Sequence, residues 1–241
     1  NSAWVYPMDL AVQGDCGDVI DLLIGRGYDE ARTRARRAAV AAIQEATGYW
    51  TVAQHTAAPG SVSLSDVIRT FERFLQPQDL LTLDAGSNRI WATSQLKVRT
   101  PGQLIVPGGI GGMGWGPPAA AAAKLVHPGK RVTCLVGDGG FMMTMPVLTT
   151  CVQNDLPVVV VVANNSGLGM VRDNLKSSPI AVDYADIDFA RIAEGLGCKG
   201  LRVDAPGQLD DALAEAHRSG VPCVIDVTVD PESSHVQVSH Y

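Results

Sequence analysis

Asp138 and Asn165 stand 27 positions apart, each just past an apolar run, "VTCLVG" and "PVVVVVA" respectively. A carboxylate and an amide oxygen are hard ligands. They suit Mg²⁺ or Ca²⁺ and suit soft metals poorly. Magnesium usually completes its shell with phosphate oxygens and water. Gly139 and Gly140 follow the carboxylate, so backbone N–H groups can approach an anion closely, and a helix beginning there adds the positive end of its dipole. The group reads as a divalent ion holding a diphosphate. "GDG" and "NN" are each common in ordinary turns. The weight lies in their spacing, because one helix and one strand between them bring two parallel strand ends side by side.

The rest of the chain supplies such strands. Short apolar runs ("LLTLDAG", "QLIVPGG", "RVTCLVGDGG", "LPVVVVVANN", "PCVIDVTVD") alternate with helical patterns ("PPAAAAAKLV", "PVLTTCVQND", "DFARIAEGLG", "LDDALAEAHRSG"). The runs are continuous rather than alternating in polarity, which implies a mostly parallel sheet covered on both faces, a three-layer α/β/α domain. In such sheets ligands bind at the carboxyl ends of the strands, near a switch in strand order. Three runs end there in polar, glycine-rich turns: "DAGSN", "GDGG" and "NNSGLG". Ser63 or Ser65 is expected to cap a helix at "LSDVIRTFERFL". The segment 29–46 reads as an Ala/Arg-rich helix with a solvated face, 47–60 as a linker, 61–230 as the α/β domain and 231–241 as a tail. Residues 1 to about 24 read as the tail of a second α/β domain whose body lies elsewhere, with a strand over 4–13 that has no sheet of its own to join, so that 1–46 is that remnant plus the helix.

Bulk properties exclude several classes. A net charge of −6 argues against a nucleic-acid footprint. No apolar run approaches the roughly 18 residues of a membrane span. The five cysteines are widely spaced with no CxxC, so neither a zinc site nor a disulfide framework is expected. A reducing, cytoplasmic setting follows as the default.

"GDGGFMMT…NN" resembles the thiamin diphosphate signature. "GGIGGMGWGPPAAAAAKL", "LDAGSNRIW" and "NNSGLGMVRDN" resemble the corresponding stretches of acetolactate synthase-type enzymes, from about residue 61 to 230. Residues 4–23 resemble the last strand of that family's central domain. The resemblance implies magnesium ligands at the side chains of Asp138 and Asn165 and at the Gly167 carbonyl. It implies contacts to the diphosphate from Gly139 and Gly140, and from Ser87 and Asn88, where a Gln–His pair is usual. Met113 matches the apolar residue that bends the cofactor, and Gly111 a carbonyl that accepts from its amino group. Met143, Leu168, Gly169 and Met170 match residues around the cofactor.

The implied function is a thiamin diphosphate- and Mg²⁺-dependent enzyme forming or cleaving a C–C bond next to a carbonyl, acting on a 2-keto acid or related donor. A 2-hydroxyacyl lyase or a 2-keto acid decarboxylase is an alternative within the same superfamily. A scaffold that binds the cofactor without turnover is an alternative outside catalysis. Asn174 stands where anabolic acetohydroxyacid synthases carry a Trp that favours 2-ketobutyrate. The family's catalytic glutamate belongs to a pyrimidine-binding domain, and no acid here matches it. A second polypeptide carrying the pyrimidine-binding and central domains is therefore expected as partner in a hetero-oligomer, and FAD, present in some relatives, would sit mainly on the central domain. A rival reading comes from Gly109-x-Gly111-x-x-Gly114 followed by Asp138, the loose form of a dinucleotide fingerprint. Pro117 and Pro118 stand where its helix should start.

Overall fold

The structure is a computed structural model that describes residues 8–47, 55–175 and 180–238. The chain divides into two compact units, Asn1–Thr51 and Val52–Tyr241. In the first, α1 (Cys16–Gly25) starts at Asp15, whose carboxylate accepts from the Gly17 amide at 2.7 Å. The expected Ala/Arg-rich helix is α2 (Glu30–Thr47). Neither helix buries a residue, as expected for the arginine-rich face. The strand expected over 4–13 is not there in its described part: residues 8–13 are irregular, and 4–7 lie outside the described residues. Its apolar run has no neighbouring strand among the described residues to pair with. Part of the expected linker, 48–54, is also outside them.

The second unit opens with α3 (Leu64–Phe74), where Ser63 rather than Ser65 is the cap and accepts from the Asp66 amide at 3.1 Å. There follow β1 (Leu80–Leu83), α4 (Ser87–Gln95), β2 (Leu104–Ile105), α5 (Gly116–Val126), β3 (Val132–Gly137), α6 (Asp138–Thr144) and α7 (Val147–Gln153). The chain continues through β4 (Val158–Asn164), α8 (Gly169–Asn174), α9 (Phe189–Gly195), β5 (Lys199–Val203), α10 (Gln208–Ser219) and β6 (Cys223–Thr228). The six strands form one parallel sheet in the order β2-β1-β3-β4-β6-β5.

Burial on both faces is visible along β4. Val159, Val161 and Ala163 join one core with α3, α4 and α10, while Val158, Val160 and Val162 join another with Phe141, Leu148 and Phe189 from α6, α7 and α9. At about 25 cal/mol per Å² of apolar surface removed from water, such two-sided strands contribute a large share of the domain's hydrophobic stabilisation. Four of the cysteines are free and buried, and Cys16 is exposed.

From β1 the chain first steps outward to β2, then crosses back to β3 on the other side of β1. The crevice beyond the carboxyl ends of β1 and β3 is therefore a topological switch point, the usual ligand position of an open parallel sheet. The order also separates β2 from β3 by β1, so the glycine loop after β2 and Asp138 after β3 do not belong to adjacent strands, as the dinucleotide fingerprint requires. The two prolines, by contrast, do not stop a helix. Pro117 and Pro118 occupy the first turn of α5, where a missing N–H costs nothing.

Candidate active site

Asp138 starts α6 directly after β3 and is almost fully buried. Its Oδ1 accepts from the Gly139 amide at 2.6 Å and its Oδ2 from the Gly167 amide at 2.9 Å. Burial raises its pKa, opposed by the amides of Gly167, Gly139 and Asn165 and by the charge of Arg172. The guanidinium of Arg172 pairs instead with Asp183, its Nε 2.8 Å from Oδ1. A desolvated carboxylate held by amides, with no ion pair among the described residues, is chemically suited to a divalent ion. Three amides occupy three of its four lone-pair positions, which leaves one for a metal.

Asn165 follows β4, next to β3 in the sheet. The turn after it is tight. Ser166 takes a left-handed φ of 53° without being glycine, a conformation that persists only where its surroundings hold it. Its amide donates to Asn164 Oδ1 at 3.2 Å, and its carbonyl accepts from the Tyr184 amide at 2.8 Å. Gly167 has no room for a side chain, since a Cβ there would meet the Val182 carbonyl and the Arg172 guanidinium. The Gly167 carbonyl accepts from the Gly169 amide at 3.0 Å, which leaves it one lone pair for a ligand.

These groups open into a cavity of about 270 Å³ at the switch point. Of the residues expected around a cofactor, Ser87, Asn88, Gly111, Met113, Asp138, Gly139, Gly140, Asn165, Gly167, Leu168, Gly169 and Met170 line it. Met143 does not. It lies four residues beyond Gly139, roughly 6 Å along the axis of α6, and is 60% exposed outside the cavity. Asn88 also departs from its expected part. Its Nδ2 donates to the Asp84 carbonyl at 3.2 Å and the Leu135 carbonyl at 3.3 Å, so its side-chain donors tie β1 to β3. The first amides of α4, which lack partners within the helix, remain to face an anion from this side.

Among the described residues no three His, Cys, Asp or Glu side chains gather as a metal cluster. A magnesium ion would rest on Asp138, Asn165, a loop carbonyl and ligand oxygens.

Asp84, one residue past β1, was not singled out among the chemistry-bearing residues of the sequence, yet it organises the cavity wall. It is fully buried. Its Oδ2 accepts from the Gly114 amide at 2.8 Å, and its Oδ1 from Trp115 at 2.9 Å and Gly116 at 3.3 Å. A Cβ on Gly140 would strike the same carboxylate, so Gly140 is needed for this packing as well as for access to a ligand. Asp84 thus anchors the loop carrying Gly111 (φ 71°) and Met113. The Met113 Cε lies 3.1 Å from where a Gly139 Cβ would stand, so the side chain crosses the cavity toward the glycine turn.

A doubly wound α/β domain with oxygen ligands and glycine turns at its switch point defines a class of diphosphate-binding folds. The chain belongs to the thiamine pyrophosphate (thiamin diphosphate) enzyme family, matching its C-terminal TPP binding domain over residues 84–227. It is 36% identical over 160 residues to a probable acetolactate synthase large subunit of Methanococcus aeolicus, covering 64% of this chain and 27% of the relative. It is 34% identical over 168 residues to the acetolactate synthase of Bacillus subtilis (strain 168), covering 68% of this chain and 30% of the relative. The chain thus spans less than a third of the length of either. A thiamine diphosphate-dependent 4-hydroxybenzoylformate decarboxylase of Rhodococcus jostii RHA1 has a similar structure, with a TM-score of 0.68 at 25% identity, covering 73% of this chain and 34% of that one. Among the described residues no helix is long and apolar enough to cross a membrane.

Proposed function

We propose that residues 61–230 form the diphosphate- and Mg²⁺-binding part of an acetolactate synthase-like enzyme that makes or breaks a C–C bond next to a carbonyl of a 2-keto acid or related donor. The observation that supports this most directly is the convergence of buried Asp138, Asn165 and the Gly167 loop with Met113 in one cavity at the switch point. When bound, thiamin diphosphate would supply a carbon nucleophile and, in its thiazolium ring, a sink for the electron pair of the cleaved bond. The chain's own residues hold and orient. Asp138 and Asn165 would hold the metal, Gly139 and the first amides of α4 would face the phosphates, Gly111 would offer its carbonyl to the aminopyrimidine, and Met113 would support the cofactor from below.

The cavity wall supplies one carboxylate, Asp138, and the metal would engage it. The resemblance puts the acid that moves a proton at the pyrimidine on a pyrimidine-binding domain. The expected second polypeptide with pyrimidine-binding and central domains would provide it, in a hetero-oligomer, with any FAD on that central domain.

The test is Asp138→Ala. Removing the one charged ligand should weaken Mg²⁺-dependent binding of thiamin diphosphate by at least ~10-fold in calorimetry, the low end for disturbing a metal's ligand set. Equal affinity in the variant would remove the site assignment.

Acceptor choice gives a second check. Asn174 closes α8, is exposed, and turns its Nδ2 back to the Met170 carbonyl at 2.9 Å. With no Trp there, a competition between pyruvate and 2-ketobutyrate as acceptors should show no strong preference for 2-ketobutyrate. A marked preference would show that another residue selects the acceptor.

A further inference from the structure

A short segment, residues 180–184, runs across the outside of the Asn165–Gly169 turn. The Leu168 amide donates to the Val182 carbonyl at 2.7 Å and the Tyr184 amide to the Ser166 carbonyl at 2.8 Å, with Gly167 and Asp183 forming an antiparallel bridge. Arg172 fastens Asp183 to α8. The segment is a strap, and its geometry fixes where the Tyr184 side chain goes.

That side chain reaches the glycine turn. A Cβ on Gly139 would meet three groups: Leu168 Cδ2 at 2.7 Å, the Tyr184 hydroxyl at 2.9 Å and Met113 Cε at 3.1 Å. Leu168, Met113 and Gly139 line the cavity and Tyr184 does not, so the hydroxyl stands at its margin, against the glycine turn. The ring is partly buried, and its hydroxyl makes no hydrogen bond among the described residues. A phenol is protonated at neutral pH, so it can donate. An unused donor beside a buried carboxylate and an anion-facing glycine turn is suited to an anionic oxygen or a metal-bound water.

We propose that Tyr184 is a further binding residue of this site, its hydroxyl donating to a phosphate oxygen or metal-bound water held by the Asp138 turn. The inference rests on the proposed reading that the site takes a metal-bound diphosphate. It also gives the strained Ser166 turn a purpose, since the strap that holds Ser166 in the left-handed region is the one that delivers the hydroxyl.

The experiment titrates the assembled protein with thiamin diphosphate at saturating Mg²⁺, followed by tryptophan fluorescence, in wild type, Tyr184→Phe and Asp138→Ala. Unphosphorylated thiamin is the control probe, and the melting temperature is measured without ligand. Tyr184→Phe removes only the hydroxyl. It should weaken thiamin diphosphate binding by about 10-fold, the worth of one hydrogen bond to a charged group, and leave thiamin binding and the melting temperature unchanged. Wild-type affinity in Tyr184→Phe, with binding lost in Asp138→Ala, would overturn the role of Tyr184 and leave the site reading standing. Equal affinity in all three proteins would overturn both. A Phe variant that melts early and weakens both ligands alike would make the hydroxyl structural and overturn the proposal.

Discussion

Asp84→Ala should destabilise the domain by about 3 kcal/mol or more, because it strands three donors at once. Each buried donor left unpaired costs roughly 1–3 kcal/mol. The amides of Gly114, Trp115 and Gly116 all point at this one carboxylate, which is fully buried. The Gly114 and Gly116 backbones are also buried, so water has poor access to replace the lost acceptor. A domain of this kind has a total stability of about 5–15 kcal/mol, so the loss would be a large fraction of it. Urea unfolding measures the effect. Asp84→Asn keeps the shape and one acceptor oxygen and should fall between the wild type and the alanine variant. A loss under about 1 kcal/mol for Asp84→Ala would mean that the loop finds other partners and that Asp84 does not anchor it.

Met113→Ala in the assembled enzyme should lower turnover about 100-fold while changing thiamin diphosphate affinity much less. A displacement of about 1 Å in the reacting geometry can carry that penalty. Met113 is one residue before the Asp84-anchored amides, so its backbone is fixed even though the side chain is 37% exposed. That exposure also separates its role from core filling. A methionine in the core would leave a closed void on truncation and lower stability by about 2–5 kcal/mol, whereas Met113 already borders open space. Steady-state kinetics paired with calorimetry decides between the two. Unchanged turnover with a lower melting temperature would make Met113 a packing residue.

The strands most legible in the sequence are those buried on both faces, although the short, partly buried edge strand β2 was also read from its apolar run. "PVVVVVA" became β4 because five valines in a row satisfy two cores at once, one on each side of the sheet. β5, "KGLRV", was not recognised as a strand. It lies at the sheet edge and is partly exposed, so its polar residues conceal it. α1 was also missed, being an exposed helix without a buried stripe to signal it. The strand expected over 4–13 failed for the complementary reason, an apolar pattern with no pairing partner in its described part.

Local chemistry determined which groups were available: a carboxylate and an amide oxygen one βαβ unit apart, with glycines where an anion would approach. The alternation of runs and helices determined a parallel sheet and a site at its carboxyl ends. The tertiary structure decided how those groups are used. Asp84 accepts from amides 30 or more positions away, and no short-range pattern encodes such a contact. Asn88 was legible as a polar residue beside the site, but its donors turned to two carbonyls, one of them on the neighbouring strand. Met143 was legible by its place in the motif, yet one helical turn carried it out of the cavity. The Tyr184 hydroxyl comes near Gly139 only because a strap pairs with the turn after β4. Spacing along the chain specifies which strand ends are neighbours. The direction of each side chain, and which polar atoms are already satisfied, follow only from packing against segments distant in sequence.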